Sequence, residues 1–177
     1  MSTTQDVVAI PTGTWSLDPT HSDIGFAVSY SSLGTFRGTF DEYEVTFVDG
    51  RLEGAAKVAS VAIEEPNLAG HLQSPDFFDA EQHPELSFTS KSIERDGDKV
   101  TIAGELTLRG VTKDVTIAGT VAGPGPDLYG NERIAFDVET TVDRTDYGIS
   151  WNQDLPTGGP ALGNDVTITA NLAFVQS

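Results

Sequence analysis

Apolar residues recur at every second position along most of this chain, in successive runs separated by turn-forming residues. A repeat of two is the signature of a strand with one face buried, and it narrows the fold more than any other feature. Ile24, Phe26, Val28 and Tyr30 share one face of the first run. Val45 and Phe47 lead into Asp49-Gly50, a two-residue hairpin signal because both turn positions favour positive φ. The return strand runs through Leu52, Ala56 and Val58 toward Ile63. Leu86 and Phe88 open a strand that reaches Ile93, and Asp96-Gly97-Asp98 turns it back. Val100, Ile102, Gly104, Leu106 and Leu108 then alternate with polar or small residues, and Arg109-Gly110 begins another turn. Val115, Ile117, Gly119 and Val121 continue beyond it. Ile134, Phe136, Val138 and Val142 form one further strand, and Val166, Ile168, Ala170, Leu172 and Phe174 the last.

Two stretches read as irregular. Gly123-Pro124-Gly125-Pro126-Asp127 is a loop by composition, and Tyr147 to Asp165 is a long segment rich in Gly and Pro. One segment is helical. Leu68 and Leu72 stand four apart, which suits a short helical turn. Ser74-Pro75-Asp76 then reads as a helix start, with Ser74 as N-cap and Pro75 at the first position. Phe77 and Phe78 follow, and Pro84 ends the helix by restricting His83.

The pattern therefore predicts an all-β chain of about eight antiparallel strands in consecutive up-and-down order, interrupted once by a helical element. Residues 1–12 read as a flexible N-terminal segment and 13–177 as a single domain. An open sheet of that size leaves two edges free to pair with other chains, and closure into a barrel removes them. An eight-stranded barrel is wide enough to be filled by its own side chains or to hold one small ligand. Gly54, Ala56, Gly104, Gly119 and Ala170 on the inward faces leave room for either a cavity or bulky side chains from opposite walls.

Composition removes several alternatives. There is no cysteine, so neither disulfides nor thiolate metal sites are available. The 27 acidic residues outnumber the 10 basic ones for a formal net charge of −17. Such a field disfavours nucleic acid and anionic membrane surfaces as partners. No basic-then-apolar leader is visible at Met1 to Gln5 and no apolar run approaches a membrane span, so the expected location is the cytoplasm and no stable membrane insertion is expected. A homodimer is compatible with the sequence.

Motifs for catalysis and metal binding give little. The three histidines, His21, His71 and His83, lack the spacing of a zinc cluster. His21 with Asp18 and Asp23 reads as a hydrogen-bonded strand start rather than a metal site. No G-x-S-x-G elbow, Walker loop or G-x-G-x-x-G is present. Asp143-Arg144-Thr145-Asp146-Tyr147-Gly148 concentrates charge and an aromatic at a strand end. It reads either as the frame of a barrel mouth or as an ion pair with a tyrosine satisfying a corner. No cofactor, no metal and no enzymatic activity are expected.

Several stretches together resemble the YceI-like family of polyisoprenoid-binding, lipocalin-like proteins. They are Trp15-Ser16-Leu17-Asp18-Pro19-Thr20-His21-Ser22, Gly34-Thr35-Phe36-Arg37-Gly38-Thr39-Phe40, and His71-Leu72-Gln73-Ser74-Pro75-Asp76-Phe77-Phe78-Asp79 with His83-Pro84-Glu85-Leu86-Ser87-Phe88. Gly104-Glu105-Leu106-Thr107-Leu108-Arg109-Gly110-Val111-Thr112-Lys113 and Arg144-Thr145-Asp146-Tyr147-Gly148 complete the set. The resemblance implies an extended eight-stranded barrel with a short helical insertion and a long apolar cavity. It also implies a long-chain lipid ligand, such as an isoprenoid quinone, a polyprenyl chain or a fatty amide, held as by a carrier or buffer. Relatives often have a histidine where Ser29-Tyr30-Ser31 stands here, so no head-group contact carries over from it.

Alternation and resemblance together nominate Ile24, Phe26, Val28, Phe36, Phe40, Leu106, Leu108, Phe136 and Phe174 as cavity wall. Phe77 and Phe78 are expected near the helical cover. The alternatives are a lipid-modifying enzyme, which needs an ionisable group in the cavity, and a solid barrel serving structure or protein interaction.

Overall fold

A computed structural model describes residues 10–30, 34–63 and 66–177 of the chain. Eight strands close into one antiparallel barrel in chain order. Three of them are interrupted. β1 comprises Thr14–Leu17 and Asp23–Tyr30, β2 comprises Gly34–Phe40 and Tyr43–Val48, and β3 comprises Arg51–Lys57 and Val61–Ala62. A helix, α1 (Pro66–Gln73), precedes β4 (Glu85–Asp96), β5 (Lys99–Leu108), β6 (Val111–Pro126), β7 (Glu132–Asp143) and β8 (Leu162–Gln176). Each strand pairs with the next, and β8 closes the ring on both pieces of β1, Leu17 facing Phe174 and Val28 facing Val166. The all-β barrel with a helical insertion read from the sequence is the fold observed.

The break in β1 has a local cause. Pro19 cannot donate to a ladder, and Asp18 caps the short helical turn at Pro19–His21 by accepting from the Thr20 N–H at 3.0 Å. Ser22 stitches the bulged segment back to β8 by accepting from the Ala173 N–H at 3.0 Å. His21 approaches the Asp18 carboxylate at 2.7 Å, a contact that orders this strand start.

Asp49 and Gly50, at φ 50° and 76°, form the two-residue turn that the sequence announces. Three local readings need correction. The helix lies upstream of Ser74, because Pro75 pushes Ser74 out of the helical region and ends α1 at Gln73. Ser74 instead donates to the His71 carbonyl at 2.6 Å, and a series of turns carries the chain through Phe77 and Phe78. Of the supposed loop at 123–127, residues 123–126 are the end of β6, where Gly123 at φ 92° absorbs a register shift opposite Arg133 and Ala135. The last strand likewise begins at Leu162, inside the stretch expected to be irregular, with a register shift before Val166. Of the segment expected to be flexible, residues 1–9 lie outside the described residues, and Ile10 packs against the core.

The interior divides along the barrel axis. At one end Phe47, Phe136 and Phe174 meet with ring centroids 5.4, 5.5 and 6.0 Å apart, and Trp15, Leu52, Ile102 and Ile134 pack around them. This end is filled. Outside it, Arg133 donates from Nη1 to Asp18 at 2.8 Å and from Nε to Asp127 at 2.6 Å. Those bonds hold both carboxyls at about 2, with His21 assisting at Asp18.

Two outcomes follow. Phe136→Ala should cost about 3–5 kcal/mol in urea unfolding, and Phe36→Ala, half-buried at the other end, clearly less. The Arg133 pairs stabilise the fold fully above the unfolded carboxyl value of 3.8 and lose that effect as pH falls toward about 2. The difference in thermal midpoint between the wild type and Arg133→Met should therefore be constant above about pH 4 and shrink below it.

Candidate functional site

The second end of the barrel is hollow, with a cavity of about 500 Å³. That lies within the range of about 300–1,000 Å³ typical of ligand pockets. β1 contributes Phe26 and Val28, β2 Phe36 and Phe40, β5 Leu106 and Leu108, β7 Val142, and β8 Val166 and Ile168. Leu72, Phe77 and Phe78 close it from the helical insertion, and Ile149 and Trp151 from the loop after β7. The aromatic rings form a connected set, Phe26 lying 5.6 Å from Phe40 and Phe78 5.9 Å from Phe40 between centroids.

Glycines beneath the rings set this shape. The Phe26 ring lies over Gly38, where an added Cβ would come within 2.7 Å of its Cζ. At Gly104 an added Cβ would meet the Thr89 carbonyl oxygen first and the Phe88 ring next, at 2.6 Å. These small positions thus receive neighbouring rings, and the open volume lies further along the axis.

The polar groups of the site are few. His71 stands edge-on to Phe77 and Trp151, with centroids 4.9 and 4.8 Å away, and its Nε2 lies 3.1 Å from the Asp76 carboxylate. Thr35 and Gln153 also line the cavity. Arg144 is 3% exposed. Its Nε donates to the Gly163 carbonyl at 2.8 Å, and its Nη1 to those of Ile149 and Trp151 at 2.9 and 2.8 Å. Burial pushes its proton affinity below that of an ordinary guanidinium, and nearby Asp143 pulls it partly back. Of the cluster at 143–148, Arg144 reaches the cavity wall, while Asp143, Asp146 and Tyr147 line a separate recess, and among the described residues no ion pair forms within the cluster. Its arginine ties strand ends to the loop through carbonyls, while Asp143 accepts from the Thr145 N–H at 2.9 Å and hydroxyl at 2.6 Å.

Of the nominated residues, Phe26, Val28, Phe36, Phe40, Phe77, Phe78, Leu106 and Leu108 come together around the cavity. Ile24, Phe136 and Phe174 face inward but sit elsewhere. Ile24 packs between the two halves, and Phe136 and Phe174 belong to the filled end. Alternation gives the face of a strand and says nothing of depth along the barrel axis. Val142, Val166 and Ile168 carried the same alternation and could have been found by it. Trp151, Ile149 and Ala161 lie in a loop with no period to reveal them. Among the described residues no group of three or more His, Cys, Asp or Glu could hold a metal ion, and no helix is long and apolar enough to cross a membrane.

Comparisons with known proteins agree with this architecture. The chain is 32% identical over 163 residues to protein YceI of Escherichia coli O157:H7, an alignment spanning 88% of this chain and 82% of that one. The crystal structure of the Campylobacter jejuni YCEI protein superposes with a TM-score of 0.72 at 28% identity, covering 92% of this chain and 97% of that one. A domain from Saccharophagus degradans, described as polyisoprenoid-binding, shares the fold with a TM-score of 0.69 at 17% identity, covering 92% and 98%. The model of the YceI-like domain matches residues 15–174, and the chain belongs to that family.

Proposed function

We propose that this protein binds a long-chain apolar lipid inside the hollow end of the barrel and acts as its carrier or buffer rather than as an enzyme. The observation that carries the reading is the cavity, lined mostly by Phe, Leu, Val and Ile and sealed at its inner end. Burial alone supplies affinity there. Each buried methylene contributes about 0.8 kcal/mol, so ten contribute roughly 8 kcal/mol before the cost of association. Isoprenoid quinones, polyprenyl chains and fatty amides are the ligand classes in view, and the polyisoprenoid-binding description of the Saccharophagus relative supports the first two. Among the described residues two ionisable groups line the cavity: Arg144, which keeps its proton near neutral pH and is a poor general base, and His71, which is engaged by Asp76.

Release needs the cover to move. Arg109, on the turn between β5 and β6, donates from Nη2 to the Pro75 carbonyl at 2.6 Å and from Nη1 to that of Gly148. One side chain thus ties the helical cover to the loop at the mouth. In this reading it slows opening.

Organic extraction of the purified protein followed by mass spectrometry should return a long-chain lipid in near-stoichiometric amount. Val166→Trp, which places a larger group on the wall, should abolish that yield while the far-ultraviolet circular dichroism stays unchanged. A lipid-free protein that also fails to quench with added quinone or fatty probe would refute the reading. Arg109→Ala should raise the ligand off-rate about tenfold, since charge-assisted bonds of this kind contribute roughly 1.5–3 kcal/mol, and should speed amide exchange at 74–79 and 148–151.

A further inference from the structure

Charge is distributed unevenly between the surface and the cavity. The chain has 27 acidic residues, yet among the described residues that line the cavity the ionisable ones are Arg144 and His71, with no carboxylate. His71 already has Asp76 at its Nε2. Arg144 forms no such direct pair, although the neighbouring Asp143 acts on it through its charge. Its three hydrogen bonds all go to backbone carbonyls, the adjacent Asp143 is engaged by Thr145, and among the described residues none of the ion pairs includes it. Its Nη2 has neither a hydrogen-bond partner nor contact with solvent. A buried donor without an acceptor is a standing cost, and a buried cation with no carboxylate bonded to it a larger one. The fold retains both at the wall of this cavity.

We propose that Arg144 is the head-group site and that the lipid held here ends in an anionic oxygen group, a carboxylate or a phosphate, which settles against Nη2. The proposal rests on the lipid-binding reading above and narrows it from any long apolar chain to an amphiphile with a negative terminus. The planar guanidinium commits Nε and Nη1 to the protein and leaves Nη2 uncommitted. Because Nη2 is closed off, the head group reaches it by a shift of the wall beside it, where Ile149 and Trp151 lie on an irregular segment. The acidic exterior does not oppose this strongly, since charges in water are screened beyond about 8 Å at physiological salt.

The test compares two matched pairs of probes by fluorescence displacement on the intact protein: hexadecanoate with its methyl ester, and farnesyl phosphate with farnesol. The anion should bind at least about tenfold more tightly than its neutral partner in one pair or both, and the pair with the larger ratio identifies carboxylate or phosphate. In Arg144→Gln that ratio should fall to about one; if this variant does not fold, Arg144→Lys should show a reduced ratio instead. Equal affinities within both pairs, or a ratio that survives the substitution, would overturn the assignment while leaving lipid binding intact. Binding of none of the four probes would overturn both.

Discussion

The packing of Phe47 against Phe136 and Phe174 lets the rest of the barrel depart from a filled core. Each of these rings is at most 1% exposed, and they come from the neighbouring strands β7 and β8 and from β2 beyond β1, so one cluster joins the three inside the barrel. An aromatic side chain buries roughly 150–250 Å², and three in mutual contact concentrate much of the apolar burial at one end. The other end then has no need to be dense. The same strands run on beyond the plug with their inward residues facing open volume, and the backbone ladders that close the ring hold the walls apart.

Most of the architecture could be read from the chain because a period of two is a physical requirement of a strand with one wet face. β5 displays it without interruption from Val100 to Leu108, and the structure follows it residue by residue. The reading weakened where the period breaks. Ile93 is out of phase with Phe88 because of the register shift between Ser90 and Ser92, and Gly123 interrupts a strand that continues beyond it. Proline misled twice. Pro75 ends a helix instead of starting one, and Pro124 and Pro126 lie within a strand end that their composition made look like a loop.

The site was legible by face and not by depth. Phe26 and Phe136 carry the same signal in sequence, yet one meets the cavity and the other the plug, because position along the axis depends on strand stagger around the whole ring. Arg144 drew attention as part of a charged cluster, but its burial and its carbonyl partners depend on a loop that returns nearly twenty residues later at Gly163.

Gly38 and Gly104 have a consequence for how this scaffold could change over evolutionary time. Neither supplies a side chain, yet each lies beneath a phenyl ring and lets it rest against the barrel wall. A methyl group at Gly38 would lever Phe26 toward the lumen, so the bore can be narrowed from behind by altering a residue that no guest ever touches. Selection on tail thickness could therefore act through the backbone lining, leaving the oily surface itself chemically the same.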